Sequence, residues 1–518
     1  MSYWRAKAYD VLPALSVRGK ELRASLRIVT LGWMFGSVWM ASTNGSTMIN
    51  FGYLAHFNGF HWGLLASLGF AATLMQLPAS YVIERTGLRK IQFMYAMTTG
   101  RLMWLLMGLM PIAMLILRPE IVAIIAMALI FISGSLNSFG ITAWTTWMSD
   151  LIPPRIRGRY FARRNMYTVL VQIIVTLGVG VLLDRVIVHG AIISVDTQPR
   201  LVWTLAIIFL VAGMFGAMDI LSFRRVREVV RTVPRQRMSL REIFAEPLRN
   251  KRFVHYVGCW ATLTFATSLS GPFFGLTCQR HLGFGNVWTN IITMVCGSVG
   301  GIISSRMWGS LVDRWGRRPT LLVGITASIL TVWGWLLIPP IPPLTYMVLI
   351  VTFVGGEVWT GISLAETSLR MSFTDKGGRS TYIAAAGVII AVAGMLGGQV
   401  GGLIVYLADK FGMHVQIGPF VFISYHLVFF LSGIFRAVSL LWLVDMPDPG
   451  SRPTGQMVRE MGGQAYQNFT TAVSLPIRLV SWPVRAMFRS DLPPGDDAID
   501  RPAGQDGQPG HRSDDPPR

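Results

Sequence analysis

Two glutamates, Glu357 and Glu366, lie in one long apolar run between Pro343 and Met371. Glu357 stands at the middle of this run, so in a helix with a rise of about 1.5 Å per residue it lies close to the midplane of a bilayer. Charge costs about 2.5 to 3.5 kcal/mol there, and such a residue therefore predicts a function. Glu357 has no cation within one helical turn, which suits a proton carrier or a counter-charge for a cationic substrate. Glu366 points to the opposite side of the helix, and we expect it to pair locally with Arg370.

Three arginines also lie within apolar runs. Arg101 is near the middle of its run and cannot lose its charge, so it must either pair with an acid or contact a substrate. The sequence does not identify that acid, and both roles stay open. Arg306 and Arg436 lie nearer the cytoplasmic ends of their runs, where their long side chains can reach the membrane surface, and we interpret both as structural.

The elements that carry these residues are membrane helices. The 518 residues are 52% hydrophobic and only 14% charged, with a mean hydropathy of +0.49, which is unusual for a soluble domain. Runs of about 18 or more apolar residues predict twelve membrane spans, numbered span 1 to span 12. Their centres lie near Val38, Ala71, Arg101, Ile132, Ile174, Phe209, Leu263, Gly297, Leu330, Glu357, Ile390 and Leu431.

A charged pattern occurs twice, 229 residues apart, at the ends of spans 2 and 8. The second copy, residues 309–319, reads GSLVDRWGRRP, and the first, residues 80–90, reads SYVIERTGLRK. Glycine permits a tight turn and the cations stay with the lipid headgroups. The pattern resembles the loops that join helices 2 to 3 and 8 to 9 in the major facilitator superfamily of transporters. The second copy matches at every position and the first departs from the pattern at Ser80, Glu84 and Leu88.

The resemblance implies an all-α polytopic membrane protein with twelve transmembrane helices in two pseudo-symmetric six-helix bundles. It also implies that the two loops gate transport. The gating residues would be Gly309, Asp313, Arg314, Gly316, Arg317 and Arg318 in the second copy and Glu84, Arg85, Gly87 and Arg89 in the first.

In the resembled family, helices 1, 4, 7 and 10 line a central cavity and helix 3 flanks it. Polar residues follow one face of spans 1, 4 and 7, although small polar residues also serve ordinary helix packing in lipid. The candidates for substrate or coupling contacts are Glu357, Asn44, Asn137, Trp144, Thr264 and Arg101. Among the polar residues on these faces, Asn44 and Asn137 are the strongest candidates, because an amide at mid-depth needs hydrogen-bond partners.

Cation distribution predicts the topology. The five loops assigned to the outside carry only Arg118, Arg185, Arg200, Arg280 and Lys410, so the positive-inside rule places both termini in the cytoplasm and the chain in the cell membrane. The predicted segments are a cytoplasmic N-terminus (1–25), a first bundle (26–222), a basic linker with a short amphipathic helix (223–252), a second bundle (253–445) and a largely disordered cytoplasmic tail (446–518).

Several other classes of function find no support in the sequence. Loop cations beside lipid explain the net charge of +20, so we expect no nucleic-acid partner. No nucleotide-binding loop, metal-ligand pair or nucleophile elbow is present, so we predict neither an enzyme nor a cofactor or metal. The three cysteines are read as structural thiols.

The leading interpretation is a secondary transporter that moves a small solute by alternating access, as a monomer in the lipid bilayer, with protons as the candidate coupling ion. Two alternatives stay open. One is a sensor or scaffold of the same fold that does not transport, and the other is a lipid flippase. Neither the substrate, the coupling ion nor the direction of flux follows from the sequence.

Overall fold

The structure is a computed structural model that describes residues 19–187, 193–228, 240–373, 379–446 and parts of 448–459. The predicted tail lies almost wholly outside these residues, as do the first 18 residues and the linker segment 229–239. Within the described part, helices dominate and twelve spans follow one another in the order that hydropathy predicts. Ten of them are long and apolar enough to cross a membrane by length and composition. Span 1 and span 7 complete the twelve.

Spans 1 to 6 form the N-bundle. Asn58 caps the start of span 2 by accepting a hydrogen bond from the backbone N–H of His61. Spans 4 and 6 begin with Pro119 and Pro199. Proline is tolerated at these positions because the first N–H groups of a helix have no partner within it. The six spans cover Gly19–Thr43 with Ser46–Leu54, Gly59–Thr73 with Gln76–Thr86, Arg89–Ala113, Pro119–Leu151, Pro154–Val186 and Pro199–Ser222.

Spans 7 to 12 form the C-bundle. A short helix in the linker, Leu240–Arg249, precedes it and packs on spans 7 and 11. The six spans cover Lys251–Ser270 with Phe273–Leu276, Asn286–Trp315, Arg317–Gly334, Met347–Ser372, Arg379–Lys410 and Ser424–Val444. Span 8 contains a wider π-helical segment, Ile291–Cys296. Such segments are frequent at functional sites.

The two tight turns of the repeated pattern have the backbone that the sequence predicts. Gly87 ends span 2 with φ 69°, and Gly316 separates spans 8 and 9 with φ 97°. Both values lie in the left-handed region, which glycine adopts without the steric cost that a Cβ brings. We call the side of the membrane with these turns and the linker the inner side, and the opposite side the outer side.

Among the residues that the structure describes, one pair of strands departs from the helical pattern. A small antiparallel hairpin, Val415–Ile417 paired with Phe420–Phe422, joins spans 11 and 12 on the outer side. Its turn contains Gly418 with φ 61°. The hairpin lies in a loop between spans, so the architecture of two helical bundles is unchanged.

Candidate functional site

A cavity of about 790 Å³ lies between the two bundles. This volume falls in the range of roughly 300 to 1,000 Å³ that is usual for small-molecule sites. Spans 1 and 2 line one side, and spans 7 to 10 and span 12 line the other. Among the lining side chains are Asn44, Trp62, Phe70, Thr267, Trp335, Trp359 and Arg436. Most of the wall is apolar, and a small number of polar groups face the interior.

The break in span 1 brings Asn44 to the cavity. The helix stops at Thr43 and resumes at Ser46, with Gly45 between them at φ 61°. The amide of Asn44 donates a hydrogen bond to the carbonyl of Met40, 2.9 Å away, and the side chain is exposed to the cavity. Interrupted helices of this kind place free backbone groups at the substrate sites of transporters.

Asp184 of the N-bundle binds the first turn of span 8 in the C-bundle. Its carboxylate accepts hydrogen bonds from the backbone N–H groups of Asn286 at 2.6 Å and Val287 at 3.0 Å, and from the side-chain amide of Asn286 at 2.8 Å. A helix N-terminus attracts an anion, because its N–H groups lack partners and its dipole is positive. Asp184 therefore ties span 5 to span 8 on the outer side.

Two asparagines of span 8 extend this connection to span 1. The amide oxygen of Asn290 accepts a hydrogen bond from the backbone N–H of Ser46 at 3.0 Å, and its nitrogen donates to the Ser46 hydroxyl at 2.9 Å. Asn50 donates to the side-chain oxygen of Asn286 at 2.6 Å. We call Asp184, Asn286, Asn290, Ser46 and Asn50 the outer lock.

A close helix crossing closes the outer side beside the lock. A Cβ on Gly63 of span 2 would lie 2.3 Å from the carbonyl of Gly398 in span 11, so glycine is required for this approach. Ser67 donates a hydrogen bond to the carbonyl of Met395 at 2.7 Å. Small residues allow such backbone contact between membrane helices. These contacts and the outer lock all lie in the outer halves of their spans, so the structure is closed on its outer side.

The repeated charged pattern behaves differently, because its cations bind within their own bundles. Arg89 pairs with Asp150 at the end of span 4. Arg317 donates to the hydroxyl of Ser368 at 3.0 Å, and Arg318 binds the carbonyls of Leu443 and Val444 at the end of span 12.

Asp313 and Gly309, in the second copy of the pattern, have no such anchorage in the described residues. Asp313 is exposed, as are Arg85 and Arg314. A Cβ on Gly309 would meet no atom of the described residues within 4 Å. The side chain of Glu84 lies outside the described part of the structure.

Asn44 is the predicted substrate or coupling candidate that lines this cavity, and the structure places the other five elsewhere. Asn137 donates to the Ser133 hydroxyl at 3.4 Å inside the N-bundle. Trp144 is buried against Trp33, with the two ring centres 5.2 Å apart. On span 7, Thr267 and Ser268 face the cavity, whereas Thr264 is half-buried outside its lining.

Glu357 lies between spans 8 and 10. The side chain of Glu357 packs against Gly300 of span 8, where an added Cβ would lie 3.4 Å from the Glu357 Cγ. The residue is half-buried and forms no hydrogen bond or ion pair within the described chain. Glu366 has the local pairing that the sequence predicts, at 3.5 Å from Arg370, and it also accepts a hydrogen bond from Tyr256 at 2.7 Å.

Arg101 has the acid partner that the sequence leaves unidentified, and it is Asp219 of span 6. The two side chains lie 3.7 Å apart and both are buried. The Arg101 guanidinium also stacks on Trp39, 3.5 Å from the ring centre. Gly36 makes room for the pair, since a Cβ there would lie 2.6 Å from the Asp219 carboxylate. Arg101 thus binds spans 1, 3 and 6 together, away from the main cavity.

We expect Asp219→Asn to lower the stability of the protein by about 3 to 5 kcal/mol, because it leaves the Arg101 charge buried without a partner. The double variant Arg101→Met with Asp219→Ala removes both charges and is expected to regain most of this loss. Thermal melting of the purified protein in detergent measures both effects. Arg370→Gln, which removes the half-exposed cation of the ion pair with Glu366, is the control. Equal melting temperatures for Asp219→Asn and the wild type would contradict a structural role for the pair.

Arg436 differs from its sequence-based prediction. Instead of reaching the membrane surface it is buried, with 4% of its surface exposed, and it lines the main cavity. Its guanidinium donates a hydrogen bond to the carbonyl of Ser328 at 2.8 Å. The expected reach to the membrane surface is wrong, because spans 9 and 12 pack together here and enclose the side chain.

Comparison with known proteins identifies the family. Residues 28–398 match the family model of the Major Facilitator Superfamily, which is more than half of the chain. The chain belongs to this superfamily, and it is a multi-pass membrane protein of the secondary-transporter class. A comparison with curated proteins gives no match.

Solved structures show the same fold at low sequence identity. The nucleoside transporter NupG is 15% identical, with a TM-score of 0.56 over 82% of this chain and 98% of its own. The inward-open xylose transporter XylE from E. coli is 13% identical, with a TM-score of 0.57 over 85% and 99%. A bacterial homologue of the human lysosomal transporter Spinster is 14% identical, with a TM-score of 0.57 over 82% and 95%.

Proposed function

We propose that this chain transports a small solute across the cell membrane by alternating access, as a monomer with both termini in the cytoplasm. The observation that carries the proposal is the cavity between two bundles that are joined on one side by a polar lock. Two bundles that can rock about such a cavity expose it to each side in turn. The distribution of cations supports the orientation, with the outer side facing away from the cytoplasm.

The chemistry of the outer lock suits a connection that must break and re-form. Its members are hydrogen-bonded side chains and helix ends rather than a large apolar contact. Water can satisfy these same groups when the bundles separate, so the net cost of opening is a small part of each bond's strength. Two packings that differ by a few kcal/mol are what a conformational switch requires.

The exposed Asp313 and the empty space around Gly309 support a second gate on the inner side. When the inner ends of the bundles approach, Asp313 can bind the N-terminal end of span 5, as Asp184 binds span 8 on the outer side. The absence of a side chain at Gly309 leaves room for that approach. Each gate would then stabilise one of the two conformations.

We expect Asp313→Asn to slow transport severalfold while leaving substrate binding nearly unchanged, because it destabilises only the inner-closed conformation. Glu84→Gln should have a smaller effect, since its copy of the pattern departs from the family at three positions. Turnover and binding measured on the same preparations separate the two effects. Wild-type turnover in Asp313→Asn would refute the inner gate.

Glu357 is our proposed proton carrier. It is a carboxylate near the middle of span 10 with no partner in the described residues, and burial disfavours the charged form of such a group. The candidates Asn137, Trp144 and Thr264 lie off the cavity in this conformation, and a substrate role for them would require the bundles to rearrange.

Reconstitution tests the proposed function directly. The purified full-length chain in proteoliposomes should take up or release a solute from a mixed panel, and an imposed pH gradient should change its accumulation if transport is coupled to protons. Vesicles without protein provide the background. Binding of a partner by the linker or tail without any solute flux would favour the sensor, and scrambling of labelled lipid would favour the flippase.

A further inference from the structure

Arg436 places a positive charge on the wall of the main cavity. The side chain is buried, and one Nη donates a hydrogen bond to the Ser328 carbonyl at 2.8 Å. The Nε has no hydrogen-bond partner among the residues that the structure describes. The ring centre of Trp359, another cavity residue, is 5.7 Å from the guanidinium. A guanidinium has five N–H donors, so most of its hydrogen-bonding capacity is unused here.

The N-bundle shows how this fold satisfies a buried arginine. Its last span, span 6, carries Asp219, and span 12, the last span of the C-bundle, carries Arg436. Asp219 pairs with Arg101 of span 3. Arg436 faces span 9, which offers a backbone carbonyl of Ser328 instead of a carboxylate. The N-bundle therefore pairs its buried arginine with a carboxylate, whereas the described neighbours of Arg436 offer it a backbone carbonyl.

No acidic side chain compensates Arg436 in the described structure. The stretches Lys251–Ser270, Arg317–Gly334 and Ser424–Val444 of spans 7, 9 and 12 contain no Asp or Glu. On span 10, Glu366 is bound by Tyr256 and Arg370. Glu357, on the same span, packs against Gly300 and does not line the cavity. A buried arginine that is not matched by a carboxylate is expensive, so a function must maintain it.

The remainder of the cavity wall is largely apolar and aromatic. The rings of Trp62, Phe70, Phe274, Trp335 and Trp359 line it. Such a surface binds the apolar body of a ligand through burial and ring contacts. An apolar cavity with one cation fits a molecule with one anionic group and an apolar body.

We propose that the transported solute is a small organic anion, with an aromatic or aliphatic body and a carboxylate, sulfonate or phosphate group that binds Arg436. This inference rests on the proposed transport function and names its substrate class. The planar guanidinium provides parallel N–H groups that match the oxygens of such an anion. The anion supplies the counter-charge that the described residues do not provide.

Three probes of similar shape and different charge test the inference. They are benzenesulfonate (negative), benzenesulfonamide (neutral) and phenyltrimethylammonium (positive), titrated against the purified full-length protein with tryptophan fluorescence as the readout. The wild type should bind benzenesulfonate at least about tenfold more tightly than the other two, a difference of about 1.4 kcal/mol. Equal or weaker binding of the anion, or no binding of any probe, would overturn the inference.

Variants then assign the preference to Arg436. Arg436→Gln should abolish the preference, so that benzenesulfonate binds about as tightly as the other two probes. Arg436→Lys should keep part of the preference because the charge remains. Arg306→Gln is the matched control, since Arg306 is an exposed span cation outside the cavity lining. If Arg436→Gln does not fold, the measurements on the wild type and on Arg436→Lys still decide whether the protein prefers the anion. An unchanged preference in a folded Arg436→Gln protein would contradict the assignment.

The same probes separate this inference from the proposed function. Counterflow of a neutral or cationic solute through proteoliposomes, unaffected by Arg436→Gln, would leave transport established and overturn the anionic substrate. Tight, Arg436-dependent binding of benzenesulfonate without flux of any solute would instead support the anion site and contradict transport.

Discussion

Replacing Asp184 with asparagine is expected to open the outer side of the cavity. The carboxylate caps the first turn of span 8 across the bundle interface, with hydrogen bonds of 2.6 to 3.0 Å. An anion at a helix end and charge-assisted hydrogen bonds together contribute about 1 to 2 kcal/mol. Asp184→Asn should therefore shift the equilibrium towards outer-open conformations about tenfold.

Labelling of a cavity cysteine measures this shift. Ala66→Cys, in a chain whose three native cysteines are replaced by serine, places a thiol on the cavity wall. A membrane-impermeant maleimide added from the outer side should react about tenfold faster when Asp184→Asn is present. Asp409→Asn, at an exposed carboxylate on the outer end of span 11, is the control. Equal rates in the Asp184→Asn and Asp409→Asn proteins would show that Asp184 does not hold the outer side closed.

Glu357→Gln is expected to abolish solute accumulation driven by a pH gradient. Glutamine imitates the protonated glutamate permanently, so exchange of substrate down its own gradient should survive while coupling is lost. Proteoliposomes loaded with substrate measure exchange, and the same vesicles with an imposed pH gradient measure accumulation. The expected loss is essentially complete for accumulation and less than about threefold for exchange.

A matched glutamate controls for this substitution. Glu246 lies exposed on the linker helix, and Glu246→Gln should leave both measurements unchanged. If Glu357 instead balances a cationic substrate, binding itself should fail in Glu357→Gln. Intact gradient-driven accumulation would assign Glu357 a structural role between spans 8 and 10.

Hydropathy and the repeated pattern were sufficient to predict the architecture, because membrane spans and glycine turns are encoded locally. Span lengths follow from bilayer thickness, and Gly87 and Gly316 lie at turns whose backbone favours glycine. The outer hairpin, Val415–Ile417 with Phe420–Phe422, was not predicted. Its strands are only three residues long, too short for a periodic signal.

The site was less predictable, because its contacts join residues that are far apart in the sequence. The partner of Arg101 is 118 positions away at Asp219, near the inner end of a span, where an acid is easily read as part of the membrane surface. The outer lock had a weak signal in the spacing of Asn286 and Asn290, which share one helical face. Their partners Ser46 and Asp184 on other spans carry no matching signal.

Arg436 shows the limit of estimating depth from sequence alone. Its position along span 12 suggested that it could reach the membrane surface. Whether it does so depends on which neighbours enclose it, and here Ser328 of span 9 and Trp359 of span 10 hold it beside the cavity.

Distances measured across both sides of one protein test alternating access most directly. Spin labels at His56 and Ile341 report the separation of the bundles on the outer side, and labels at Leu88 and Met371 report it on the inner side; all four positions are exposed. Introducing Asp184→Asn should lengthen the outer distance and shorten the inner one in pulsed electron resonance. Two distances that stay constant, or that change in the same direction, would contradict rocking of the bundles about the cavity.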